Sequence, residues 1–427
     1  MQKLQILSGV IVGSLLASSA FADEQPWTVY SKIDLFAYSE PVSIDQFATD
    51  FQDDLEDGET AFTHDQIEIG GKWKGFSIGY VHRFDYVTNF TEDTAFYHHA
   101  TKNNITVPNN RNYDLLLDVE RLEAKGFKVG YEWNFYQGMT VDVAYSHYTQ
   151  LSQLQSGYAS LSGDLEPFTD QFIADAEAII DNLSLSNRDL TPLINLAQEI
   201  EGRLAIDYAY DEPKFGEPDY REPVLTGAQN PPLTGVSFAE PDGTGYSVDI
   251  GFNWQVNDQL NVNVELIDIA NEFSWDNAPT TRATFNLNAF LIDALNVAQD
   301  AVNGEIVRPN DVIARNLNVV IVNEDYDQEL DARYDLEVNY DLNYQVNLFG
   351  WQPSLGVTGG WYKTEHQDFP RIGVSLDKKL HLGYDIGGEA ISISYEGKYG
   401  FFRFISDDFG YNDARTFGVA AGLNYSF

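Results

Sequence analysis

Seven histidines and 66 carboxylates make up most of the reactive inventory of this chain, because it contains no cysteine. That absence removes disulfide scaffolds, thiolate-ligated metals and thiol nucleophiles together. His64, His82, His98, His99, His147, His366 and His381 are scattered, and no His-Glu-x-x-His, Gly-x-Ser-x-Gly or phosphate-cradling glycine loop accompanies them. Ser146 and His147 are adjacent in a stretch of strand character, so their side chains point to opposite faces and cannot act as nucleophile and base. The acidic run Asp50, Asp53, Asp54, Glu56, Asp57 and Glu59 surrounds Gly58. Aligning that glycine with the one in an EF-hand loop puts Leu55 and His64 where oxygen ligands are needed, which rejects the motif. Glu324, Asp325, Asp327, Glu329 and Asp331 could gather divalent cations loosely. The expectation is therefore no catalytic residue, no metal centre and no cofactor beyond weakly held divalent cations. The chemistry open to such a chain is electrostatic.

Its composition says what that chemistry acts on. With 66 acidic against 25 basic residues and a formal net charge of -41, the 427-residue chain is a poor partner for nucleic acid. A hydrophobic fraction of 43% is too high for a disordered acidic chain. The abundance of Tyr (25), Phe (27), Trp (7) and Gly (33) favours strands and tight turns.

Residues 1–22 have the build of a secretory signal peptide, with Lys3, an apolar run from Leu4 to Leu16 and Ala20-Phe21-Ala22 as the cleavage site. No later stretch supplies the roughly 20 apolar residues of a membrane-spanning helix. Period-2 alternation takes its place. From Leu330 to Leu348 the even positions, among them Tyr334, Leu336, Val338, Tyr340 and Leu342, are apolar. The odd positions, among them Asp331, Arg333, Asp335, Glu337 and Asp341, are polar. Such a strand has one face for lipid and one for water, and is longer than the roughly 10 residues that cross a bilayer. Twelve segments of this kind are expected, over residues 28–38, 62–73, 75–87, 113–135, 139–150, 243–256, 259–273, 330–348, 353–365, 371–386, 389–402 and 414–427. Short turns, including one at 387–389, alternate with longer loops.

The final segment, with Phe417, Val419, Ala421, Leu423, Tyr425 and Phe427 on one face, ends the chain on an aromatic residue inside a strand. Behind a signal peptide, this resembles the assembly signal of Gram-negative outer-membrane β-barrels. The resemblance implies an antiparallel transmembrane barrel over residues 23–427, set among lipid and lipopolysaccharide and recognised by the barrel-assembly machinery through Phe427. The even strand number keeps both ends in the periplasm.

Two insertions, 151–242 and 274–330, exceed ordinary loop lengths. Helical spacing of Phe168, Phe172 and Ile179, of residues 192–204 behind Thr191, and of Phe290 and Leu295 predicts amphipathic helices on the external side. They are expected to form a cap over the barrel mouth or a separate small subdomain. If apolar faces meet lipid, Asp249, Glu265, Asp331, Arg333, Asp335, Glu337, Asp341 and Asp385 line the lumen. An excess of acid there attracts cations. The functional expectation is a monomeric, porin-like channel for passive diffusion of small cationic or neutral solutes. The alternatives are a plugged barrel serving as a surface-binding scaffold and a hydrolase with a site at the rim.

Overall fold

The computed structural model describes residues 27–49, 51–52, 55–106, 112–164, 190–198, 201–210, 242–302, 316–348, 351–408, 410 and 412–427. The signal peptide and Phe168, Phe172 and Ile179 lie outside these residues. The first five strands are β1 (Thr28–Ser39), β2 (Thr60–Trp73), β3 (Phe76–Phe90), β4 (Asn112–Tyr136) and β5 (Met139–Asp164). Next come β6 (Glu201–Tyr210), β7 (Asp242–Gln255), β8 (Leu260–Asn286), β9 (Leu317–Gln328) and β10 (Arg333–Gln345). The chain ends with β11 (Ser354–Lys363), β12 (Asp368–Leu376), β13 (Leu380–Asp385), β14 (Ala390–Gly397), β15 (Gly400–Ser406) and β16 (Thr416–Ser426). The described helices are short: α1 (Ile44–Ala48), α2 (Glu92–Lys102), α3 (Thr191–Ala197) and α4 (Leu287–Val302).

Every strand pairing is antiparallel. Fourteen strands close a barrel, because β10 returns to β8 (Glu265 opposite Asp335) and β16 meets β1 (Ala421 opposite Ile33). Trp27 and Phe427 exchange backbone hydrogen bonds of 3.2 and 3.0 Å at that second seam. Closure leaves no edge within the barrel itself, the condition for crossing hydrocarbon with strands. Phe76, Ile78, Phe127, Val129, Ile372, Val374, Ile391 and Ile393 stand exposed on the outside, where alternation puts them. Trp27, Trp73, Trp133, Trp254, Trp351 and Tyr399 are exposed near the short-turn rim, and Trp27 stacks on Trp73 at 5.5 Å. An apolar band edged by aromatics is the outer surface of an outer-membrane barrel.

The strand count corrects the sequence reading from twelve to fourteen. Segment 371–386 is β12 and β13, and segment 389–402 is β14 with the start of β15. In the first, Asp377 and Lys378 both take left-handed φ values, 53° and 56°, without the glycine that normally marks such a turn. The two missed turns preserve the even parity. They also move residues 387–389, expected among the short periplasmic turns, to the opposite, long-loop rim.

The insertions are corrected too, because much of each is strand. The upper parts of β4, β5 and β8 run on past the barrel and are joined there by β6 and β9 as a projecting sheet ordered β4-β5-β6-β8-β9. Leu204, expected on a helix, belongs to β6 opposite Leu161 and Phe285. Bulges broke the alternation that would have disclosed these strands. Gln153, Gly157 and Asn277 have positive φ, and the β8–β9 register slips between Trp275 and Ala278. Helix α4 starts where β8 ends, at the far tip of the projection, with Phe290 against Phe285 at 5.4 Å.

Candidate functional site

The inward polar positions of the barrel enclose a cavity of about 540 Å³, which runs from Thr28, Lys72 and Asn424 at the turn rim to Arg83, Phe36 and Asp385. Ten inward carboxylates and seven lysines or arginines line it. Asp249, Glu265, Arg333, Asp335, Glu337 and Asp385, all assigned to the lumen from sequence, are among them. Two further assignments fall elsewhere. Asp331 lies at the loop rim, 2.8 Å from His366 Nε2, because the strand begins only at Arg333. Asp341 sits near the turn rim, beside Lys378 at 3.5 Å.

The cations are not spread evenly among the acids. Lys128 lies 2.9 Å from Asp249 and 3.5 Å from Glu68, which also accepts from the Tyr30 hydroxyl at 2.6 Å. Asp335 is held by Arg371 and lies 3.7 Å from Arg403. Asp142 and Glu265 have no ion pair among the described residues. They face each other across Gly251, which pairs with both in the ladders of β7. A Cβ at Gly251 would come 2.1 Å from Asp142 Oδ1, so the glycine makes room for that carboxylate. The belt Glu132, Asp142, Gly251, Glu265 and Asp335 is one register row across five strands. Positive charge entering the lumen meets in this row two carboxylates outside any direct ion pair among the described residues, with Lys32 and Arg403 near Glu265 and Lys72 and Lys128 near Asp142.

An ionic layer forms the upper wall of the cavity. Arg83 donates to Asp268 through both terminal nitrogens (2.7 and 2.9 Å) and to Asp85 through Nε (2.6 Å). Arg333 donates to the same Asp268 at 2.7 Å, and His64 Nδ1 is 3.2 Å from Asp85. Arg83 and Asp268 are each only 2% exposed. Asp268 could not be located from alternation, because two extra residues of β8 bulge out opposite Asp249 and Asp268 itself takes φ 58°. Its amide is held by Asp249 Oδ1 at 3.0 Å, which ties the layer to the lysine-bearing network below. Arg371 and Arg403 were also missed; the strand that carries Arg403 was hidden by the merged segment.

Apolar side chains close the interior above the ionic layer. On one wall Tyr38, Phe62, Val87 and Phe369 pack over Phe36 and Tyr362, which line the cavity beneath, with Tyr38 and Phe369 edge to face at 5.1 Å. On the other, Leu122, Tyr148, Leu151, Phe273 and Trp275 form the largest buried cluster. Among the described residues, strand side chains and not the insertion helices fill the mouth.

Four of the seven histidines are paired with acids or rings, and buried His381 Nε2 meets no hydrogen-bond partner among the described residues. His64 faces Asp85, His82 faces Glu123 on the outer surface, His366 faces Asp331, and His98 stands edge-on to Phe51 at 4.9 Å. Ser146 is buried and His147 exposed, on opposite faces as their alternation requires.

No family model matches the chain, and no curated protein matches it in sequence. Among solved structures it is similar to a TodX deltaS2S3 mutant monoaromatic hydrocarbon channel, with 9% identity over 95% of this chain and 91% of that one, at a TM-score of 0.35. It is also similar to the toluene transporter TbuX of Ralstonia pickettii (8% identity, 95% and 90% covered, TM-score 0.27). The translocator domain of the autotransporter NalP from Neisseria meningitidis matches at 7% identity, with 100% and 96% covered and a TM-score of 0.29. At such scores these likenesses decide nothing about substrate. The closed antiparallel barrel, its apolar outer band and its aromatic rim locate this chain in a Gram-negative outer membrane.

Proposed function

We propose that the protein is an outer-membrane channel for small cationic or neutral solutes, shut in this conformation at the loop rim. The observation that carries this reading is the 540 Å³ lumen cavity, with ten inward carboxylates against seven cations and with Asp142 and Glu265 unpaired among the described residues. Fields from fixed charges in a confined lumen raise the local concentration of counter-ions. A solute entering from the turn rim meets the carboxylate row first and the Arg83 layer next. Passage requires the Arg83–Asp268–Arg333 contacts and the apolar layer above them to part.

The test is single-channel recording of the refolded mature protein in a planar bilayer under a salt gradient, beside Arg83→Gln. The wild type is expected to show rare, cation-selective openings, and the variant more frequent ones. Anion-selective current would overturn the reading. The packed mouth also favours a second reading, a plugged scaffold that presents the projecting sheet to a partner. Silence from both proteins would support it.

A further inference from the structure

The projecting sheet and the barrel are joined by residues 328–333, which link β9 to β10 and have no regular structure from Glu329 to Ala332. Four side-chain ties fix this joint. Gln328 Nε2 donates to Glu120 Oε2 of β4 at 2.6 Å, drawing together the two edges of the projecting sheet. The Leu330 backbone exchanges two hydrogen bonds of 2.7 Å with the Asn271 side chain, and Leu330 packs into the large apolar cluster. Asp331 meets His366 in the β11–β12 turn at 2.8 Å. Arg333 ends the joint on Asp268 at 2.7 Å. The segment thus connects the ionic layer, the apolar seal and the projection.

We propose that this joint is a pH-sensitive clasp, fastened by Glu120 and His366 below neutrality and loosened above it. Gating by it rests on the channel reading given above; the clasp itself does not.

Glu120 accepts from Ser156 Oγ at 2.6 Å as well as from Gln328, and Ser156 also meets the Tyr326 hydroxyl at 2.8 Å. No cation is paired with Glu120 among the described residues. Asp118 on its own strand and Asp331 in the joint are like charges, and Asp207 of β6 lies near Tyr326. Burial first, then Asp118 and Asp331, push the Glu120 carboxyl up to about 7, against the pull of the Ser156 and Gln328 hydrogen bonds. His366 faces Asp331, Glu365 and Asp118, and its hydrogen bond to Asp331 raises it above the ordinary histidine value despite burial. Both shifts favour the protonated form of the closed joint. The His366 contribution is fully present below its unfolded value of 6.5 and is lost as pH rises through the higher folded value. Glu120 becomes an unpaired buried anion as pH climbs from its unfolded 4.5 through about 7. The two groups therefore loosen the same joint in the same direction.

The absence of native cysteine allows a clean probe. Glu329→Cys, at an exposed joint position, would carry a spin label in the full mature protein reconstituted in vesicles. The label is expected to be immobilised at pH 5.5 and mobile at pH 8.5. Adding Glu120→Gln, which stays neutral, moves the midpoint to higher pH. Adding His366→Asn frees the label at lower pH. Mobility that is the same at both pH values, or a midpoint that ignores both substitutions, would overturn the clasp. Label release without current would leave the clasp standing and remove the channel; pH-gated current without label release would do the reverse.

Discussion

Arg83, Arg333 and Asp268 form the most demanding local arrangement in the molecule, since two guanidiniums share one carboxylate where almost no water reaches. Such groups are costly to desolvate and tolerable only while mutually satisfied. Removing one member leaves the others charged and buried, which typically costs about 3–5 kcal/mol. Arg83→Gln leaves Asp268 with Arg333 and Asp85 with His64, so its cost should fall at the lower end of that range. Arg83→Gln/Asp268→Asn should destabilise the barrel by less than the sum of the single substitutions, measured as urea unfolding midpoints in lipid vesicles. Additive losses would mean that the two residues do not act as one unit. Alternation in sequence located Arg333 on an inward face. It could not locate Asp268, whose place depends on a bulge that only strand pairing reveals.

Strand boundaries were legible where turns used residues with an obvious preference, and illegible elsewhere. Lys74-Gly75, with φ of 50° and 85°, stood out between Trp73 and Phe76. Asp377 and Lys378 adopt similar backbone angles, but their types extend a polar-apolar alternation, so two crossings looked like one. The distinction is open to a chemical test. Val374 and Leu382 are cross-strand partners on the lipid face of β12 and β13. In a single strand they would be about 26 Å apart, at roughly 3.3 Å per residue. Val374→Cys/Leu382→Cys should therefore oxidise to an intramolecular disulfide with no competing thiol, visible as a mobility change on a non-reducing gel of the unfolded protein. Failure to cross-link under oxidant would favour the twelve-strand barrel. The same logic explains the insertions: Pro279, Asn277 and Gly157 interrupt period 2 inside genuine strands, and the helical spacing over residues 192–204 straddled α3 and β6.

At the scale of the whole molecule, a chain of net charge -41 has acid both on its loops and in its lumen, and either could select cations. Salt separates the two. Charges at an open mouth are screened over about 10 Å at 0.1 M and about 3 Å at 1 M ionic strength, whereas a confined, partly desolvated row is screened less. The Asp142–Gly251–Glu265 row lies within the wall of the cavity, so an ion passing it remains close to two carboxylates. The cation-to-anion permeability ratio, from reversal potentials in KCl gradients centred on 0.1 and 1 M, should decline with salt but stay above unity. Asp142→Asn/Glu265→Gln should lower it at both concentrations. Selectivity that vanishes at 1 M and is unchanged by the double substitution would assign it to the external acids, leaving the lumen row as structural polarity. Retained selectivity at high salt that depends on those two side chains would instead make the row the filter, because no charge outside the lumen acts over so short a screening length.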